Sequence, residues 1–171
     1  LGNFFTPVTG NEVTTGNGHL NAFPMPPGGT VPNHKEDDWV KLVSDMRLKG
    51  ARVVVLNHTR WPDATNNPLA RFAFNRATGD RPKGTAFTFD AMEIVNSSSP
   101  STVDRDDVRA NRLNLFADWF AIMNRGEKII GVGASDSHTV FNPVGQGRTY
   151  IRSSTDEAAR LQVDELCRNL L

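Results

Sequence analysis

Lys-Ile-Ile-Gly-Val-Gly-Ala-Ser-Asp-Ser-His-Thr, residues 128–139, is the segment from which the architecture can be inferred. An apolar run that ends abruptly in polar residues is typical of a buried parallel strand, which would carry Asp136 and His138 to its carboxyl end. Side chains two apart on an extended segment point the same way, so these two would face one spot. Such an oxygen and nitrogen pair suits Zn, Mn or Fe. The same residues would equally serve as a helix cap beside a hydrogen-bonded histidine.

Composition limits the class of protein. The 171 residues suffice for one domain with a buried core, so we treat residues 1–171 as a single unit. Nineteen basic and nineteen acidic residues give a formal net charge of zero. This balance argues against nucleic acid or an anionic membrane as the main partner and favours a small-molecule substrate.

Cysteine and hydropathy narrow the class further. Cys167 is the single cysteine, so the chain has no internal disulfide and no cysteine-based zinc cluster, and its compartment stays undetermined. No apolar run approaches the ~20 residues that span a bilayer, and residues 1–5 lack the character of a signal peptide. Because Cys167 is the single cysteine, any bound metal must use histidines and carboxylates.

Other apolar or β-prone runs also lead to polar groups. One buried strand is expected from Ala51 to an end at His58, and another within residues 85–96, centred on residues 91–96 with an end at Asn96. Nearer the start, residues 8–15 are β-prone and Gly16-Asn17-Gly18 is a turn signal. Glu12 is therefore expected in or near a strand and His19 just past a turn.

Three helices are predicted between and after these strands. The first runs from about Lys35 to Lys49, and the second from about Arg105 to Asn124 with Asp104 as its cap. The third begins at a capping-box pattern of Ser154 and Glu157, after a short strand over residues 149–151. The apolar faces of the first two helices are predicted to be Trp39, Leu42, Val43 and Met46, and Val108, Leu115, Phe116, Trp119, Phe120 and Met123.

The alternation of strands and helices predicts an α/β fold with parallel strands. In such folds the functional groups lie at the carboxyl ends of the strands. His58, Asn96, Asp136 and His138 all occupy such ends, which makes them candidates for one site.

Five ordered segments resemble the later motifs of the PHP (polymerase and histidinol phosphatase) superfamily, most closely its branch related to carbaryl hydrolase. They are Gly10-Asn11-Glu12-Val13-Thr14-Thr15, Gly18-His19-Leu20-Asn21-Ala22-Phe23-Pro24, Val55-Leu56-Asn57-His58, Ala91-Met92-Glu93-Ile94-Val95-Asn96 and Gly133-Ala134-Ser135-Asp136-Ser137-His138. The resemblance spans nearly the whole chain.

The resemblance implies a distorted TIM-like barrel of seven β/α units with two or three Zn, Mn or Fe ions at the strand ends. It implies that Glu12 is a bridging carboxylate, that His19 and His58 complete one ligand set, and that Asp136 and His138 serve the other ions. Glu12, His58 and Asp136 would then be the catalytic residues. The activity implied is hydrolysis of a phosphoester or of an ester, amide or carbamate by metal-bound hydroxide.

The chain also departs from the family pattern. The His-x-His segment that opens the family's first strand is absent, as is the early histidine after Thr-Asp, so the chain resembles the later two-thirds of a PHP domain. Thr59 stands where the family has proline. We expect an N-terminally truncated barrel whose open edge is covered by a partner subunit or a second copy.

Several residues have two open interpretations. Arg60 would bind an anionic substrate group, or would pair with an acid such as Asp63. Glu93 would support a ligand histidine or form a buried salt bridge, and Asn96 would touch substrate or close a turn. His34 is predicted to be a surface residue.

Two rival functions are considered. A non-catalytic fragment or binding module with an incomplete metal site would keep the scaffold without turnover. A sugar- or nucleotide-binding α/β domain would need a glycine-rich phosphate loop leading into a helix, and Gly16-Asn17-Gly18-His19 lacks that helix.

Overall fold

The structure is a computed structural model that describes residues 3–62, 65–83, 86–96 and 108–171, without the side chains of residues 108–113. The strands of this part of the chain are β1 (Asn11–Thr15), β2 (Gly18–Phe23), β3 (Val53–Leu56), β4 (Ala91–Asn96) and β5 (Ile130–Ala134). Its α-helices are α1 (Trp39–Leu48), α2 (Pro68–Arg71), α3 (Val108–Asn124) and α4 (Val163–Leu170), and a 3-10 turn covers Ala158–Arg160.

The five strands form one mixed sheet whose spatial order follows the chain, β1-β2-β3-β4-β5. β3, β4 and β5 are parallel, while β1 pairs with β2 and β2 with β3 in antiparallel register. The α/β prediction is therefore confirmed, and the parallel prediction holds for the last three strands. It is wrong at the start of the chain, where β1 is antiparallel to β2, a strand that the sequence did not predict after the turn signal. The residues Gly16-Asn17 make a two-residue connection of the kind that closes a hairpin.

The two faces of the sheet carry separate hydrophobic clusters. Because side chains alternate along a strand, Leu20 and Leu56 point to one face, where α1 covers them with Trp39, Leu42 and Met46. The opposite face buries a smaller cluster against α4, made of Val53, Val55, Ala91, Val132 and Cys167. The antiparallel pairing of Asn21 with Val55 places Glu12 and His19 on this second face, since Asn21 is opposite Glu12.

The first helix is shorter than predicted. α1 begins at Trp39, because Asp38 is its cap and accepts hydrogen bonds from the N–H groups of Val40 and Lys41. The predicted apolar face of this helix is fully buried and is confirmed.

Helix α3, the second of the predicted helices, buries only part of the predicted stripe: Leu115 is buried, and Phe116 and Trp119 pack partly buried against the core. Phe120 and Met123 are 49% and 39% exposed, so their prediction as buried residues was wrong. Asp118 and Ile122 lie inside instead, because the helix turns a charged residue toward two arginines. The predicted cap Asp104 and the side chain of Val108 lie outside the described residues.

The last segment also differs from prediction. Ser154 binds Glu165 through both its N–H and its hydroxyl at 2.8 Å, so it does not cap a helix with Glu157, and α4 begins only at Val163. Residues 149–151 form no strand, because Thr149 contacts β5 through its side chain, which bonds both the N–H and the carbonyl of Gly133. Within the described ranges, every helix is too short or too polar to cross a bilayer.

We predict that Gly133→Ala destabilises the fold by about 2 to 3 kcal/mol, the upper part of the range for overpacking. The added methyl would lie 2.6 Å from the main-chain oxygen of Arg148, which cannot move aside as a side chain can. Gly131→Ala on the same strand is the control, because its methyl would first meet the terminal Cδ1 of the Ile94 side chain, which can rotate aside as a main-chain atom cannot. Urea unfolding measures both variants, and an equal loss would contradict the prediction.

Candidate metal centre

The two histidines of the candidate site lie at the edge of the sheet where the parallel strands end. His58 follows β3 by two residues, and His19 is the second residue of β2. Because β2 runs antiparallel to β3, its start lies beside the end of β3, and the N–H of Asn57 donates to the carbonyl of His19 at 3.0 Å. His19 pairs with Thr14 of β1, so Glu12, two residues before Thr14, is the diagonal neighbour of His19 on the same face of the sheet.

The Glu12 carboxylate joins the two imidazoles. Its Oε1 lies 3.0 Å from Nδ1 of His19 and 3.5 Å from Nε2 of His58. The two rings meet edge to face with centroids 4.7 Å apart. One potential ligand atom from each of the three residues lies within 4.8 Å of the others. In the described part of the chain, no other three histidine, cysteine or acidic residues come together in this way.

Hydrogen bonding dominates the electrostatics of Glu12. The imidazoles of His19 and His58 hold the pKa of this carboxyl far below its usual range, and burial opposes them only in part. The Asn57 side-chain amide adds a third donor at 3.0 Å. Glu12 is therefore an anion across the neutral pH range.

Opposing influences act on the pKa of His58. Burial, the largest of them, lowers its pKa, but the hydrogen bond with Glu12 and the negative charges of Glu93, Asp136 and Glu12 outweigh it and raise the pKa overall. The ring is 9% exposed, and its Nδ1 has no hydrogen-bond partner among the described residues. In a neutral ring that donates from Nε2 to Glu12, this Nδ1 is a buried acceptor.

The main chain of His58 is held in an unusual conformation. Its φ of +25° is rare for a residue with a side chain. Its N–H donates to Glu93 at 2.7 Å, and its carbonyl accepts from the N–H of Trp61 at 2.8 Å. Glu93 is 2% exposed, and burial raises its pKa. Glu93 thus supports a predicted ligand histidine through the main chain.

The other two predicted ligands are placed differently. Asp136, just after β5, has a φ of +49° and lies close enough to His58 for its charge to raise the pKa of that ring. His138 has a side chain that is 69% exposed, and its Nδ1 lies 2.7 Å from the main-chain oxygen of Asp136. The structure therefore brings three of the five predicted ligands together, whereas Asp136 is not part of this group and His138 is largely exposed.

The predicted substrate-binding residues face protein groups. Arg60 forms a bidentate pair with Asp118 of α3, at 2.7 and 2.8 Å. An ion pair was one of the two interpretations of Arg60, and the acid is Asp118, whereas Asp63 lies outside the described residues. Asn96 donates to Glu93 at 2.9 Å. His34 is exposed, as predicted.

Sequence reasoning missed Asn57 and Trp61. The indole of Trp61 packs edge-on against His58 and tilted against His19, with centroid distances of 5.3 and 5.7 Å. It lines a cleft of about 70 Å³ with both histidines, the two prolines Pro62 and Pro68, and Arg71. Both missed residues are within three positions of His58, and this proximity was the available signal.

Comparisons of the chain with protein-family models, with curated proteins and with solved structures give no match.

We predict that Asn57→Ala lowers the free energy of unfolding by about 2 kcal/mol, as expected when a carboxylate loses a buried hydrogen-bond donor. Asn57 is 2% exposed, so water does not replace its amide freely. Asn17→Ala is the control, because that side chain donates to the carbonyl of Asp37 at the surface, where water can substitute. Urea denaturation compares the two, and equal losses would refute a special role for Asn57.

Proposed function

We propose that this chain is a metal-dependent hydrolase of the PHP superfamily, in the branch related to carbaryl hydrolase. Its substrate would be a small molecule with a phosphoester or an ester, amide or carbamate bond. The observation that carries the proposal is the convergence of Glu12 and His19 with His58, which lies much later in the sequence; all three are ligands implied by the family motifs.

The three residues fit a divalent transition metal. Zinc binds imidazole nitrogen and carboxylate oxygen at about 2.0 to 2.2 Å, so neighbouring ligand atoms in a tetrahedral site lie about 3.3 Å apart. The Glu12 oxygen lies 3.0 Å from the His19 nitrogen and 3.5 Å from the His58 nitrogen. Two imidazoles and one carboxylate form a common catalytic set, which leaves a coordination position open.

Such a cation supplies Lewis acidity, which polarises the bond to be cleaved and makes hydroxide available near neutral pH. The surrounding residues orient the ligands. Asn57 fixes the Glu12 carboxylate, and Glu93 fixes the main chain of His58. Trp61 packs against both imidazoles and lines the cleft beside them.

The barrel is the finer part of the fold proposal. We propose that the sheet is the later part of a distorted barrel of seven β/α units. Support comes from the parallel β3, β4 and β5, whose carboxyl ends carry His58, Asn96 and Asp136 to one edge. The helices α1 and α3 pack on one face and the candidate ligands lie on the other, as in a barrel, whereas α4 packs on the ligand-bearing face and departs from barrel geometry.

The complete centre is proposed to hold two or three ions. Asp136 and His138 would serve the second ion, and the electrostatic influence of Asp136 on His58 supports a position near the first. A binding module without turnover is the alternative, and the outward position of the His138 ring favours it. Metal titration together with a substrate panel separates these functions.

We predict that the chelator-free protein binds Zn or Co with at least one ion per chain. His58→Ala and Glu12→Gln should weaken the tightest site by more than about 100-fold, since each removes a direct ligand. His34→Ala is the control for histidine substitution, because His34 is exposed. Calorimetric titration measures affinity and stoichiometry, and His138→Ala should lower the stoichiometry while it keeps the tightest site. Metal binding that survives Glu12→Gln would overturn this ligand set.

We predict that the protein with added Mn or Zn hydrolyses at least one member of a panel of phosphoesters, carboxyl esters and carbamates. Chelation should abolish the activity and metal should restore it, because the nucleophile depends on the ion. Glu12→Gln should reduce kcat by at least about 100-fold, the scale of losing a metal ligand. Stoichiometric metal without turnover on the whole panel would favour the binding module.

A further inference from the structure

The buried carboxylate of Asp118 lies at the centre of an unusual ion cluster. Asp118 is fully buried in α3, and Arg60 and Arg76 both contact it. Arg60 binds it with both Nε and Nη2, at 2.7 and 2.8 Å, while Arg76 adds a bond of 2.7 Å and contacts Asn114. A buried charge is tolerated only when it is paired and hydrogen-bonded, so the positions of Arg60, Arg76 and Asp118 relative to one another are tightly constrained.

Arg60 lies inside the turn that presents His58. The N–H of Trp61 closes that turn onto the carbonyl of His58, and the intervening Thr59 is fully buried. The bidentate pair therefore attaches the whole turn to α3, with a planar geometry that leaves little rotational freedom.

The conformation of His58 needs such support. A φ of +25° in a residue with a side chain is maintained only where the surroundings determine it. Glu93 fixes the N–H of His58 on one side, and the Arg60 anchor fixes the turn on the other. With both in place, Nε2 of His58 points at Glu12.

We propose that Asp118 is a positioning residue for the metal centre: through Arg60 it holds the turn that directs the His58 ring toward Glu12. This inference rests on the proposed function, in which His58 is a metal ligand. It assigns to a residue of α3 a role in metal affinity, although Asp118 belongs to no ligand set.

The main test variant is Arg60→Lys, which keeps the charge beside Asp118 but loses the bidentate geometry. Asp118→Asn is the second variant, and it removes the charge that holds both arginines. The matched control is Glu127→Gln, because Arg81 and Glu127 form another bidentate pair at 2.8 and 2.6 Å, and Glu127 precedes β5 at the opposite end of the parallel strands from His58. Circular dichroism verifies that each variant is folded.

Cobalt titration gives the first readout. We expect Arg60→Lys to weaken Co²⁺ binding by about 10- to 100-fold, the loss typical of groups that orient a metal ligand. Glu127→Gln should bind Co²⁺ as the unchanged protein does. Wild-type affinity in folded Arg60→Lys, or an equal loss in Glu127→Gln, would overturn the proposal. Should Asp118→Asn fail to fold, the Arg60→Lys result decides.

Nuclear magnetic resonance of the metal-free protein gives a second readout that needs no metal. Arg60→Lys should shift the ring-nitrogen resonances of His58 and leave those of His34 in place, whereas Glu127→Gln should shift neither. If the unchanged protein binds no metal, the proposed function fails, and these resonances alone decide whether Asp118 positions His58.

Discussion

The antiparallel register between β2 and β3 is the constraint on which the candidate site depends. It pairs Leu20 with Leu56, and both residues are completely buried under α1. A slip of one residue would turn Leu20 out of the core, so burial fixes the alignment. The same alignment brings the start of β2 against the end of β3, and only then do His19 and His58 come into contact.

The site combines exposed chemistry with buried support. Glu12 and His19 keep contact with solvent, whereas Asn57, Glu93 and Asp118 are almost entirely enclosed. Each enclosed group holds either the Glu12 carboxylate or the turn that contains His58. Because a buried polar group is costly unless it is satisfied, these contacts favour a single arrangement of the turn.

Periodicity and strand-end polarity predicted much of the architecture. The centre and carboxyl end of β4, the apolar face of α1 and the α/β class are confirmed, because each depends on a local pattern that burial reinforces. Strand β2 was missed because its short sequence mixes polar and apolar residues without a clear pattern. Its extended conformation depends on hydrogen bonds to the strands on both sides. The inward turn of Asp118 was missed because a charged residue on an apolar stripe signals burial only when its two arginine partners are known.

The sheet keeps its strands in chain order, and this has a consequence for how the protein assembles during synthesis. Glu12 and His19 are seven positions apart, and Glu12 and Asn57 are 45 apart, so the ligand set needs only the hairpin and β3. The bond between Arg60 and Asp118 spans 58 positions and waits for a helix that the ribosome makes much later. The residues of the ligand set are therefore synthesised before the helix that holds the His58 turn, and an ion bound to them at that stage would favour the folded arrangement of the later strands and helices.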